Sequence, residues 1–487
     1  MNAHHAVVRL DGASSPITIE TARRVLFALS LAGALVVPRA GVSFWSFPAL
    51  ARPWALAPFA VLFLLAVLDL RQPISWRNLD LLALLAPVLA LADWTRGGTL
   101  QFVLLYGALG YLALRMTILA GLWGEGAGAQ QGPPFRAWLP LPWLASGVLV
   151  LAFVHGLWTL DTSLSSDIGQ AGVHGAERLL SGRAIYGGES ALAAAGAGDP
   201  HLDSYGPFAY EAVAPFTWLA GGMSAARLAA LFFDLATALA LFVLGRRTRD
   251  SAAGLTLALA WLAFPPSLYV AELGANDALL SASVLFTLIC ARLPARRGAA
   301  LALAAWSKLS PLALVPLLAG ARQDGPARPR RTLRFAAGFA LASLVIFLPV
   351  IAHGDLASFL ARTVGFQSSR EPAYSIWELL DRPGAPAAGH VAGAILRGVL
   401  LACTGVLAIA LFRLEPRAGL PGIAAAGASV LIALVALDGY FSFTYLCWFA
   451  PLVLVACLLS AGPSGEARDR ANAPSRPELD GGPLALG

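Results

Sequence analysis

Lys308 is the only lysine among 34 basic residues; every other one is arginine. It lies in Trp306-Ser307-Lys308-Leu309-Ser310-Pro311, a polar interruption of the apolar run 299–320. A compact ammonium is a point-charge partner for phosphate, whereas guanidinium is a planar fork. The plainer role for such a lysine is to snorkel from a helix end. Ions within apolar segments are costly and commonly mark function, so the phosphate reading leads.

A carboxylate able to take a proton from an attacking hydroxyl is the natural complement of a phosphate-binding cation. Asp167, in Ser165-Ser166-Asp167-Ile168-Gly169-Gln170, follows directly on an apolar run and is one candidate. Asp161, Glu177 and Asp203 compete with it, and a lone loop aspartate often just caps a helix. Asp203-Ser204-Tyr205-Gly206-Pro207 opens a second stretch with an interfacial look, and Tyr205 is a candidate substrate contact. Gly274-Ala275-Asn276-Asp277 reads as a tight turn between helices, from which Asn276 and Asp277 can also face a cavity. Gln367-Ser368-Ser369-Arg370 precedes Tyr374-Ser375-Ile376-Trp377. Arg370 is a second candidate phosphate cation, and Gln367, Tyr374 and Trp377 are candidate sugar contacts; an aromatic belt at the interface is the alternative. His174, His201 and His353 bring no metal-ligand spacing, so neither a divalent metal nor any other cofactor is assigned. Asp234, Arg227 and Asp438 read as paired or capping groups.

The elements that must position these residues are membrane helices. Of the 487 residues 58% are hydrophobic and only 13% charged, with a mean hydropathy of +0.70. A soluble chain of this make-up would expose large apolar patches. The net charge of +6 lies in short arginine clusters between apolar runs, which argues against a nucleic-acid partner and for orientation signals. The four cysteines read as small core hydrophobes. Apolar runs near 25–38, 54–70, 79–93, 100–122, 138–160, 225–245, 252–271, 276–293, 299–320, 335–352, 390–412, 420–437 and 441–461 predict an all-α polytopic bundle of about 12–14 transmembrane helices. With the arginines at 246–249, 292–297 and 322–334 facing the cytoplasm, the loops 161–224 and 353–389 fall outside. The run 299–320 separates two of those clusters. It must therefore turn back on itself, as a hairpin with Lys308 near its apex and Pro311 opening the second limb. The expected organisation is a cytoplasmic N-terminus (1–24), an extra four-helix segment (25–137), a catalytic membrane module (138–461) and a disordered cytoplasmic tail (462–487).

In order, Asp167-Ile168-Gly169, Gly175 to Gly187, Tyr205-Gly206-Pro207, Asn276-Asp277, Ala305 to Pro311 and Gly365 to Trp377 resemble glycosyltransferase family 87 of the GT-C superfamily, over about residues 138–450. The resemblance implies an inverting transferase of a bacterial inner membrane, with an outward-facing site. It implies a polyprenyl-phosphate sugar donor, mannose above all, and a lipid or glycan hydroxyl as acceptor. It also makes Asp167 the catalytic base and places Lys308 at the donor phosphate. The chain departs from the pattern at Gly172-Val173-His174, where relatives carry an aromatic, and in its four extra N-terminal helices. A transporter or lipid flippase would use the same ions but carries internal repeats, which are absent; a non-catalytic subunit with a degenerate site is the remaining alternative.

Overall fold

The computed structural model describes residues 19–37, 53–93, 99–121, 135–161, 166–186, 204–321, 328–370, 372–380, 387–414 and 419–460. Nearly every ordered element is a helix, as lipid demands of a backbone that must satisfy its own hydrogen bonds. Five helices come first: α1 (Ile19–Val36), α2 (Pro53–Val67), α3 (Trp76–Asp93), α4 (Thr99–Leu119) and α5 (Leu141–Asp161). Three short helices follow, α6 (Asp167–Leu180), α7 (Pro207–Glu211) and α8 (Ala214–Leu219). The remaining bundle is α9 (Met223–Thr248), α10 (Ser251–Leu262), α11 (Pro265–Leu273), α12 (Asp277–Ile289), α13 (Pro294–Ser307), α14 (Val315–Gly320) and α15 (Arg328–Ala352). Short α16 (Leu356–Leu360), α17 (Phe366–Ser369) and α18 (Ile376–Leu380) lead into α19 (Ala387–Leu414), α20 (Gly419–Leu437) and α21 (Leu446–Leu459). The chain is an all-α polytopic membrane protein.

Each apolar run expected from the sequence is found as helix, but fewer cross a bilayer unaided. Six described helices are long and apolar enough, or seven when α10 and α11 count as one span bent by 58°. Pro265 and Pro266 cause that bend, because neither can donate to the preceding turn. A helix of 14 residues, such as α13 or α21, rises only about 21 Å against a hydrocarbon core of about 30 Å. Helices this short cannot cross the hydrocarbon core alone, and non-helical backbone beside them must be buried in protein or line a cavity.

The arginine clusters gather at one end. Arg249 donates to the carbonyls of Leu458 and Phe135. Arg297, at the start of α13, donates to Ala321 just past the end of α14 at 3.3 Å, and Arg331 reaches Gly320. The chain from Pro294 to Ala321 therefore leaves this end and returns to it, as the expected hairpin requires. Its turn is the break at Lys308–Leu309, followed by a 3-10 turn at Ser310–Leu314. Close helix crossing anchors the hairpin, since a Cβ on Gly298 or Gly338 would overlap the facing backbone of α15 or α13. Other polar groups in the bundle are neutralised in place. Asp80 takes Arg115 at 2.9 Å and Tyr111 at 2.8 Å, and His155 pairs with Asp234 at 2.7 Å, which also receives Trp261.

Candidate functional site

At the end opposite the arginines, the hairpin turn meets the start of α12. Gly274, in the left-handed conformation (φ 63°), ends α11, and Asn276 opens α12. This confirms the tight turn expected there. Asp277 is the first helical residue and its carboxylate points inward, fully buried. Its Oδ1 receives Lys308 Nζ at 2.5 Å and the indole N–H of Trp448 at 2.6 Å. The ammonium is 8% exposed and lies among three rings, 5.1 Å from the centre of Trp448, 5.5 Å from Tyr205 and 5.7 Å from Tyr445. A desolvated cation is stabilised by such faces as well as by its counter-ion. The lone lysine thus has a resident carboxylate partner, while Asp277 Oδ2 and Asn276 Oδ1 are buried without one.

Tyr205 reaches this cage because Gly206 lies flat against the hairpin: a Cβ there would overlap the carbonyl oxygen of Trp306. Pro207 then starts α7 at a position where its missing N–H costs nothing. Tyr186 donates to the Tyr205 carbonyl at 2.8 Å, and the Tyr205 N–H donates to Tyr210 at 3.3 Å. Burial pushes the Tyr205 hydroxyl well above its ordinary pKa, and the nearby Asp167 carboxylate adds to the effect.

Asp167 begins α6 with an exposed side chain that accepts from the Ile168 N–H at 2.8 Å. Ser166 caps the helix by accepting from Gly169, and donates its own proton to Leu273 at 2.6 Å. One serine thereby fastens the Asp167 helix to the turn bearing Asn276 and Asp277. Among its rivals, Glu177 is exposed and pairs with His174 at 3.4 Å. The side chain of Asp161 and all of Asp203 and His201 lie outside the described residues.

Arg370 arrives from the other side, its guanidinium 3.5 Å above the Tyr440 ring and hydrogen-bonded to that residue. Tyr440 lies beside Tyr445 and within the electrostatic reach of Asp167, so Asp167, Arg370 and the Lys308–Asp277 pair all act on neighbouring tyrosines. Burial raises the Tyr440 hydroxyl, while Arg370 opposes the shift. The loop after Arg370 is stitched to the chain before α21. Ala373 pairs with Gly439 and Phe441, and Ser375 donates to Gly439 at 2.5 Å. Trp377 is buried and donates to the Ala436 carbonyl, so it anchors the loop; the exposed ring is Tyr374. Tyr374 adopts φ 56°, unusual for a side chain of that size, and neighbouring contacts hold it there. Gln367 is exposed on the short α17.

A narrow apolar crevice lies at the turn. Gly169, Gly172, Ala226, Ala229 and Phe233 line it, with Asn276 at one point. Among the described residues no three His, Cys, Asp or Glu side chains gather as a metal site.

The sequence reading passed over several members of this site. Tyr440, Tyr445 and Trp448 look like the start of a span in sequence. Asp438, expected to be a paired or capping group, is half-buried, and that burial raises its carboxyl beside Arg370 and Arg397. Glu211, at the end of α7, is raised by burial to about 7. Its folded-state pKa lies above the unfolded value, so its share of stability is full below about 4.5 and lost as pH rises through 7. Glu211→Gln is expected to flatten the fall in unfolding free energy between pH 5 and 8, by about 1 kcal/mol after allowance for its exposed part, read by thermal midpoints across that range. A slope equal to wild type would count against this.

No curated protein matches the chain at a meaningful level. The sequence model of glycosyltransferase family 87 matches residues 204–461, which takes in Tyr205, the Asn276–Asp277 turn, Lys308 and Arg370 and starts after Asp167. With more than half its length in that match and a multi-pass helical fold around the matched residues, the chain belongs to glycosyltransferase family 87.

Proposed function

We propose that the protein is an inverting glycosyltransferase that moves a hexose, mannose in the first instance, from a polyprenyl-phosphate donor to a hydroxyl of a lipid or glycan acceptor. The site faces the outer side of a bacterial inner membrane, opposite the arginine clusters. The observation that carries the reading is the convergence of Lys308, Arg370 and Asp167 on neighbouring tyrosines, beside an apolar crevice. Arg370 and the spare N–H bonds of Lys308 hold the donor phosphate. The isoprenoid tail leaves along the crevice, and Tyr205, Asn276, Asp277, Gln367 and Tyr374 contact the sugar or acceptor. Asp167 takes the proton as the acceptor oxygen bonds to the anomeric carbon. The carbon–oxygen bond to phosphate breaks on the opposite face, so the configuration inverts and polyprenyl phosphate departs.

In proteoliposomes, label from radioactive polyprenyl-phosphate mannose is expected to reach an added acceptor, with none transferred from a nucleotide-linked mannose. Transfer from the nucleotide sugar alone would overturn the donor assignment.

A further inference from the structure

The four N-terminal helices lie outside the family match, yet one of them touches the loop that carries Arg370. Helix α4 packs along α20, and Ser429 joins them by contacts to Thr117 at 2.5 Å and to the Ala113 carbonyl. Nearer the site, half-buried Tyr106 of α4 accepts a hydrogen bond from the Ile376 N–H at 3.1 Å and is within hydrogen-bonding reach of Ser375. Ser375 spends its own proton on the Gly439 carbonyl. The phenol O–H of Tyr106 can therefore donate to the Ser375 oxygen while its own oxygen accepts from Ile376, which satisfies every partner. These contacts sit one residue beyond strained Tyr374 and on the same loop as Arg370, whose ring partner Tyr440 is adjacent to Gly439.

We infer that Tyr106 is a positioning residue: from outside the family module it fixes the segment Ala373–Trp377 to α4 and so sets where Arg370 meets the donor phosphate. The inference rests on the proposed role of Arg370, but the contact itself does not. Without the phenol oxygen, the part-buried N–H of Ile376 loses its acceptor and Ser375 loses one partner. The loop should then sample other positions, and Arg370 should spend less time at the phosphate. The fold should be little affected, since the ring that packs α4 remains.

The test uses the full-length protein with Tyr106→Phe. Tyr111→Phe serves as the control, because Tyr111 is on the same helix and gives its hydrogen bond to Asp80 instead. Two quantities are read: amide hydrogen exchange over 373–377 without substrate, and the KM for lipid-phosphate donor against kcat. Tyr106→Phe is expected to speed exchange across 373–377 and raise the donor KM about fivefold with kcat within about twofold, the size expected for one lost part-buried hydrogen bond. Tyr111→Phe should leave both unchanged. Unaltered exchange in Tyr106→Phe overturns the inference whatever the activity. Faster exchange with an unchanged donor KM overturns the positioning role. Faster exchange in a protein whose wild type transfers nothing from the lipid donor supports the tether and removes only the reading of Arg370.

Discussion

Replacing Lys308 with methionine is expected to destabilise the protein by about 3–5 kcal/mol, because it strands a fully buried carboxylate. Asp277 would keep only the Trp448 indole on Oδ1, and its Oδ2 has no partner to begin with. Lys308→Arg should not rescue it, since a planar, forked guanidinium does not replace the compact ammonium held among Tyr205, Tyr445 and Trp448. The double variant Lys308→Met with Asp277→Leu removes both charges together and is expected to fold within about 1 kcal/mol of wild type. Thermal midpoints in detergent read this cycle. Transfer should fail in the double variant although the fold returns, and that separates the structural part of the pair from its part at the donor. A single Lys308→Met variant as stable as wild type would refute the pairing as described.

Gly206→Ala is the second change with a large expected effect, and it acts by shape alone. The added methyl must overlap the Trp306 carbonyl oxygen and approach its Cα to 3.0 Å. Neither is a flexible side-chain end, so the Tyr205–Pro207 turn must lift off the hairpin. The cost falls at the upper end of overpacking, about 3 kcal/mol. The change should reach function as well, because the same movement withdraws the Tyr205 ring from Lys308. Gly221→Ala is the control: it lies fifteen residues further along the chain with open space around it and should stay within about 0.5 kcal/mol of wild type. Equal thermal midpoints for the two variants would contradict the close approach at Gly206.

Much of the frame could be read from the sequence, for identifiable reasons. Runs of apolar residues report burial in lipid, so the helices were legible even where they proved short. The hairpin was legible because two arginine clusters on either side of one apolar run cannot both keep to one side unless the chain turns at Lys308. The turn at Gly274 was legible because few residues other than glycine adopt the left-handed conformation. Partners were not legible. Lys308 and Asp277 are 31 residues apart, and Trp448 is 171 residues from Asp277. No spacing rule links positions that meet only through helix packing. Trp377 has the composition of a sugar platform, yet its indole is turned into the protein by the Ala436 carbonyl. Tyr440 and Tyr445 look like the start of a span in sequence and lie beside Arg370 and Lys308 in space.

If Asp167 removes the acceptor proton during transfer from a lipid-phosphate sugar, single-turnover transfer by Asp167→Asn, with donor binding measured alongside, must show it. The amide keeps the shape and the contact to Ile168 but cannot accept the proton. The expected result is a loss of about 10²–10⁴-fold in rate with donor binding within about threefold of wild type. Transfer by Asp167→Asn at the wild-type rate would show that another group takes the proton.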